Sequence, residues 1–230
     1  MEIIAHRCGT DRHPELTAAS ALHSLNKSVS YVEIDTRFTK DNVIVLSHDP
    51  TPKRIFGVDR LISDMTAEEF LALRFPDRPQ YCSHTLEHML QSGVDRILFH
   101  VKEGGERLYA IMDLCEKYHV LDKVCFGVQS PEDVKIVKSR GEYIRVLAFM
   151  PKAENAQAFI DAGADVIRLW EQWITDEAVN LVKSQGRKVW IMANPPIRYA
   201  YATVETVRKW EQMGIDGVLV DDIEELKRHF

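Results

Sequence analysis

A closed barrel of eight parallel strands with intervening helices, a (β/α)8 TIM barrel, is the fold class this sequence predicts, and three observations predict it. Short apolar, β-branched runs alternate with stretches of helical spacing along the 230 residues. From Gly141 a Gly–strand–helix unit recurs at Gly163, Gly186 and Gly214, at intervals of 22, 23 and 28 residues. The first run leads into His6-Arg7-Cys8-Gly9, not into the G-x-G-x-x-G turn that opens many doubly wound sheets. Nothing with the composition of a linker divides the chain, so residues 1–230 are expected to form one domain.

The strands are expected at Glu2–His6, Tyr31–Arg37, Arg96–Lys102, Val124–Gln129, Ile144–Met150, Asp165–Trp170, Lys188–Ala193 and Gly217–Asp221. Helices are expected at Thr17–Lys27, His84–Gln91, Arg107–His119, Pro131–Ser139, Ala153–Ala162, Thr175–Ser184 and Thr203–Met213. Pro131 suits a first helical turn, where an N–H has no intrahelical partner. Gly93, Gly141, Gly163, Gly186 and Gly214 stand where helices would end in the left-handed conformation. The rhythm breaks once, after the second strand. There an extra apolar run, Val43–Ser47, follows the turn-forming Lys40-Asp41-Asn42, and an irregular stretch rich in Pro and Arg continues to His84. This short insertion reads as a hairpin-like excursion on the barrel face where the βα loops gather.

Composition narrows the function. Apolar residues make up 45% and charged residues 28%, which excludes wholesale disorder, and no apolar run reaches the ~18–20 residues of a membrane span. A net charge of −6 argues against nonspecific nucleic-acid binding but not against a small phosphorylated ligand held in one electropositive pocket. The expected partner is a small molecule, with neither nucleic acid nor membrane insertion; a homo-oligomer is left open. Residues 1–5 show no secretory signal pattern, so the cytoplasm is the expected location. Cys8, Cys82, Cys115 and Cys125 lack metal-site spacing and read as free thiols, with Cys8 close enough to the first loop to be weighed as a nucleophile.

A barrel gathers the C-terminal ends of its strands at one mouth, and the polar residues there form an unusual set. His6 and Arg7 close the first strand. Glu33, Asp35 and Arg37 share one face of the second by the two-residue period. His48 ends the extra run, and His100 and Lys102 close the next strand on a common face. Charged groups inside strands are costly unless partnered. One account is a salt-bridge network of Glu33 and Asp35 with Arg7, Arg37 and Lys102. The functional account is a divalent-cation site at Glu33 and Asp35, with His6 and His48 as acid and base. Arg7 and Lys102 would hold phosphate oxygens, as a bidentate fork and a point charge respectively. Arg168, Trp170 and Trp190, on later strands, are further candidates for substrate contact.

His6-Arg7, Pro14-Glu15-Leu16-Thr17, Val32-Glu33-Ile34-Asp35, Thr39-Lys40-Asp41 and Ser47-His48-Asp49 resemble, in order and spacing, the glycerophosphodiester phosphodiesterase family. Thr85-Leu86-Glu87, Gly214-Ile215-Asp216-Gly217 and, loosely, Asn194-Pro195-Pro196 are similar to it as well. The resemblance implies a (β/α)8 fold and metal-dependent cleavage of glycerophosphodiesters to sn-glycerol 3-phosphate and an alcohol, by way of a cyclic phosphate. It makes His6 and His48 the acid/base pair and Glu33 and Asp35 metal ligands, with Mg2+ or Ca2+ as the ion. Three departures stand out. Cys8 intervenes before Gly9, Leu16 replaces an Asn, and His100-Val101-Lys102 stands in place of Glu-x-Lys. An imidazole ligand at His100 would favour Mn2+, Co2+ or Zn2+, and Glu171 is a candidate for the missing carboxylate. Asp221 and Asp222 read as the cap of a last helix. A lyase stopping at the cyclic phosphate, a hydrolase of sugar phosphodiesters, an inactive phosphate-binding barrel, and an isomerase or aldolase on the same fold remain alternatives.

Overall fold

The computed structural model describes residues 1–194 and 199–230. Pro195 and Pro196 of the Asn194-Pro195-Pro196 stretch lie outside the described residues. Eight parallel strands close on themselves: β1 (Glu2–Ala5), β2 (Tyr31–Phe38), β6 (Ile97–Val101), β7 (Cys125–Val128), β8 (Arg145–Ala148), β9 (Val166–Trp170), β10 (Lys188–Met192) and β11 (Gly217–Val220). The ring shuts where β11 pairs with β1, Ala5 opposite Val220, and β1 pairs with β2. The eight expected strands all form, so the (β/α)8 fold stands. The extra run is β3 (Ile44–Leu46), antiparallel to the end of β2 with Thr36 opposite Leu46, which is the expected hairpin.

Side-chain alternation sorts the core into two layers. Ile4, Leu98, Leu147, Val166, Trp190 and Leu219 pack together as one buried cluster inside the ring. Ile3, Ala5, Val32, Ile34, Phe99 and Val146, of opposite parity, join the helices in a second. Those helices are α1 (Ala18–Asn26), α4 (Leu86–Gln91), α5 (Arg107–Lys117), α6 (Pro131–Arg140), α7 (Ala156–Asp161), α8 (Asp176–Lys183) and α9 (Val204–Gln212). Pro131 opens α6 beneath a Ser130 cap whose side chain accepts from the Asp133 N–H. Gly93, Gly163, Gly186 and Gly214 adopt positive φ as expected. Gly141 does not: its φ of 177° is extended backbone.

The insertion holds more structure than its irregular sequence suggested. It contains α2 (Lys53–Phe56), α3 (Ala67–Leu71) and a small hairpin of β4 (Arg74–Phe75) and β5 (Arg78–Cys82). Thr66 and Glu69 form a reciprocal capping box on α3. Val45, Ile62, Met65 and Phe70 give the insertion a buried cluster of its own. No helix among the described residues is long and apolar enough to cross a membrane.

Candidate active site

The mouth is organised by a tight turn after β1. Arg7, Cys8 and Gly9 have φ of 46°, 73° and 80°, and a non-Gly residue in this region costs roughly 1–2 kcal/mol. Glu33 Oε2 accepts the Arg7 N–H at 2.7 Å, and the Ser24 hydroxyl donates to the Cys8 carbonyl at 2.6 Å. Ser20 donates to the carbonyls of Cys8 and Gly9. The departure at Cys8 therefore produces a contorted loop that α1 ties down. Leu16, the second departure, also sits at positive φ, 57°. Cys8 itself is fully buried, and burial pushes its thiol well above the ordinary value, so it is no nucleophile.

Register explains how His6 is oriented. Since Ala5 lies opposite Val220, His6 comes beside Asp221, and its Nδ1 is 2.6 Å from Asp221 Oδ1. Asp221 is thus a partner of the first histidine and not a helix cap. Beyond it the chain forms only a 3-10 turn at Leu226–Arg228. His48 has the same arrangement, with Nδ1 2.8 Å from Asp49 Oδ1. Its carbonyl accepts from Arg37 Nη2 at 2.9 Å, and Asp49 is gripped in turn by Arg54 at 2.6 Å. A carboxylate only accepts, so each Nδ1 carries the proton and each Nε2 is left for chemistry. Burial pulls the His48 pKa below its ordinary value, with Lys102 and Arg7 adding and Asp35 and Asp49 opposing.

Glu33 and Asp35 point inward from β2 and are almost wholly buried, 1% and 0% exposed. Asp35 stands in register with His100 on β6. Ligand atoms of Glu33, Asp35 and His100 all lie within 4.8 Å of one another. Lys102 Nζ is 2.8 Å from Asp35 Oδ1 and 2.9 Å from His100 Nδ1, and Arg7 Nε is 3.8 Å from Asp35 Oδ2. Neither Asp35 oxygen makes a hydrogen bond of normal geometry among the described residues. Burial raises the Asp35 pKa, but the charges of His100, Lys102 and His48 outweigh it and hold the carboxyl well below the carboxylate range. Two buried carboxylates and an imidazole whose ligand atoms converge fit a divalent cation. Glu171 does not join them: its carboxylate accepts the Asn194 N–H at 3.0 Å.

His6, Glu33, His48 and His100 line a cavity of about 120 Å3 together with Phe149, Arg168, Trp170 and Tyr199. A larger cleft of about 320 Å3 beside the β4–β5 hairpin, lined by His13, Arg54 and Phe75, holds none of these groups. Trp190, a sequence candidate for substrate contact, does not reach the cavity. It is fully buried inside the ring, where Gly217 makes room for it: a Cβ there would fall 2.7 Å from the indole. Lys102 and Arg7 border the acidic pair and are drawn toward it, so the salt-bridge account and the functional account describe the same residues. Phe149, Tyr199 and Asp221 escaped sequence reasoning. Asp221 carried a usable signal, for it ends the last strand, which must close against the first.

The glycerophosphoryl diester phosphodiesterase family model matches residues 6–116, bearing out the resemblance read from the motifs. The human lysophospholipase D GDPD1 is 39% identical over 62 residues, 27% of this chain and 20% of the relative. The glycerophosphodiester phosphodiesterase of Caldanaerobacter subterraneus is 32% identical over 71 residues, 31% of this chain and 29% of the relative. The matched segment thus spans a fifth to a third of the length of these curated relatives. Among solved structures, a glycerophosphodiester phosphodiesterase from Agrobacterium tumefaciens superposes with TM-score 0.79 at 17% identity, covering 99% of both chains. An Oleispira antarctica phosphodiesterase, solved with its product sn-glycerol-3-phosphate, superposes with TM-score 0.81 at 19% identity, covering 96% of this chain and 93% of that one. At such identities these likenesses speak for the fold.

Proposed function

We propose that this chain is a metal-dependent phosphodiesterase that cleaves glycerophosphodiesters to sn-glycerol 3-phosphate and an alcohol. The observation that carries the reading is the pair of histidines on one cavity, each with Nδ1 fixed by a carboxylate, beside a buried acidic pair. His6 and His48 act as acid and base, Glu33, Asp35 and His100 hold the cation, and Arg7 and Lys102 neutralise the phosphate. A divalent cation held there would supply Lewis-acid neutralisation of the phosphate oxygens.

His48, its pKa lowered, is the neutral base that starts the reaction. Its Nε2 takes the proton of the glycerol 2-hydroxyl, whose oxygen attacks phosphorus while the bond to the alcohol breaks. His6 gives its Nε2 proton to the leaving alkoxide. In the second half, His6 takes a proton from water as the water oxygen attacks the cyclic phosphate. His48 then returns its proton to the 2-oxygen. Arg7 stabilises the extra charge on the phosphorane oxygens.

The test is turnover of glycerophosphocholine and glycerophosphoethanolamine by His6→Ala and His48→Ala, with and without chelator. Each variant should lose about 10²–10⁴-fold, and chelation should abolish activity. With His100 where the family pattern has Glu, recovery should be better with Mn2+, Co2+ or Zn2+ than with Mg2+. Near-wild-type turnover in both variants, or full activity in chelator, ends the proposal.

A further inference from the structure

We infer that Arg168 anchors a second anionic group of the substrate, so that the alcohol released carries a carboxylate or a phosphomonoester and not a cationic amine; this rests on the phosphodiesterase reading above. Arg168 lines the cavity, is 5% exposed, and its Nε and Nη1 have no hydrogen-bond partner among the described residues. A buried guanidinium with two unmet donors is costly, and among the described residues the contacts shown around this one are aromatic faces. Its Cζ lies 4.2 Å from the Trp170 ring centroid, 5.2 Å from that of Phe149 and 5.9 Å from that of Trp173. Burial pulls its pKa down to about 10, with only Tyr199 opposing.

Three rings around one cation form the kind of cage that elsewhere takes a quaternary ammonium. Here the protein's own side chain fills it. A choline or ethanolamine group would meet an occupied cage and a like charge. A neutral alcohol would leave Nε and Nη1 unmet. An anion satisfies both donors with charge-assisted hydrogen bonds.

The reacting phosphate is a poorer candidate for this role. Arg7 and Lys102, 3.8 and 2.8 Å from Asp35, are placed to meet it, whereas Arg168 makes no ion pair with Glu33 or Asp35 among the described residues. Glycerol is uncharged and common to every such diester. The second anion therefore comes from the alcohol. His6, Arg7, Glu33, Asp35, His48, His100 and Lys102 all fall within the family-matched residues 6–116, whereas Arg168 and all three of its rings, Phe149, Trp170 and Trp173, lie beyond them.

The decisive comparison is kcat/KM for two glycerophosphodiesters whose alcohols differ in one group: ethylene glycol, neutral, and glycolate, a carboxylate. The glycolate diester should be preferred by about 10- to 100-fold. The ratio should fall toward one in Arg168→Gln and recover in part in Arg168→Lys, and glycerophosphocholine should be the poorest substrate of the wild type. A ratio near one in the wild type overturns the inference. So does an Arg168→Gln variant that loses both diesters in equal proportion, since Arg168 would then serve the reacting phosphate. Tryptophan emission titrated with glycolate alone judges the anchor without turnover. A saturable change weakened at least about 10-fold in Arg168→Gln supports it, and the same curve in both proteins overturns it. Should neither diester be hydrolysed, the phosphodiesterase reading fails while this titration still decides for or against the anchor.

Discussion

At the N-terminal end of the barrel, Lys138 Nζ donates to Asp165 Oδ2 at 2.8 Å and to the carbonyls of Ile144 and Glu142 at 2.9 and 3.1 Å. Asp165 Oδ2 also accepts the Val146 N–H, and Asp216 repeats the pattern with Lys183 and the Val189 N–H. At the opposite end Arg168, also buried, keeps Nε and Nη1 without a hydrogen bond among the described residues, and Asp35 meets the side chains of Lys102 and His100 on one oxygen, with no saturated set of backbone partners. Lys138 is buried as Arg168 and Asp35 are, so burial alone does not distinguish structure from function. What differs is how far each buried cation is satisfied: Lys138 Nζ has three acceptors, whereas two donors of Arg168 have none among the described residues. A saturated charge holds strands together; an unsatisfied one waits for a ligand.

That contrast can be broken by substitution, most severely at the mouth. Asp35→Asn should lower kcat/KM by about 10²–10³-fold and weaken divalent-metal binding measured by calorimetry, with a circular dichroism spectrum like that of the wild type. Lys138→Met should do the reverse: denaturant unfolding should show a loss of about 2–4 kcal/mol, while turnover per folded molecule stays unchanged. If Lys138→Met impairs catalysis in proportion to its instability, the two ends are not independent. A smaller effect of opposite sign is expected at Arg168, where Met removes an unmet buried charge and should raise stability by about 1 kcal/mol, read as a higher Tm.

The contrast also explains what the sequence made legible. Strand parity and the strand-end rule place His6, Glu33, Asp35 and His100 where a parallel barrel must present its side chains, and His48 follows the antiparallel β3, which runs back beside β2. Trp190 has the inward parity too, yet the rule misplaced it: parity gives the face of the sheet but not the depth, and Gly217 opposite makes a hole that the indole fills. Asp221 was read locally, as a cap, when its meaning is set by its neighbour across the closing seam. The β4–β5 hairpin gave no alternating pattern, since most of its residues are exposed and no face is buried to impose one.

The mildest prediction concerns Asp11, which accepts the Ile223 N–H at 3.1 Å near that seam. Burial lifts its pKa from 3.8 to about 6; hydrogen bonds from the backbone lower it and the charge of Asp222 raises it further. Between those values the folded protein holds a proton that the unfolded chain has lost, so stability falls as pH rises from about 4 to 6. Asp11→Asn should flatten that part of the Tm-against-pH curve, and an unchanged slope would show that Asp11 contributes nothing to it.

His6 and Asp221 stand 215 positions apart in the chain, yet touch at 2.6 Å. The His6 imidazole lacks that carboxylate until β11 docks against β1, after the seven other strands of the ring have been made. Under the proposed mechanism, turnover would report ring closure. Chains clipped before residue 221 would carry nearly every other element of the mouth and still leave that ring untethered, so a nicked or unfinished copy would be silent instead of half-active.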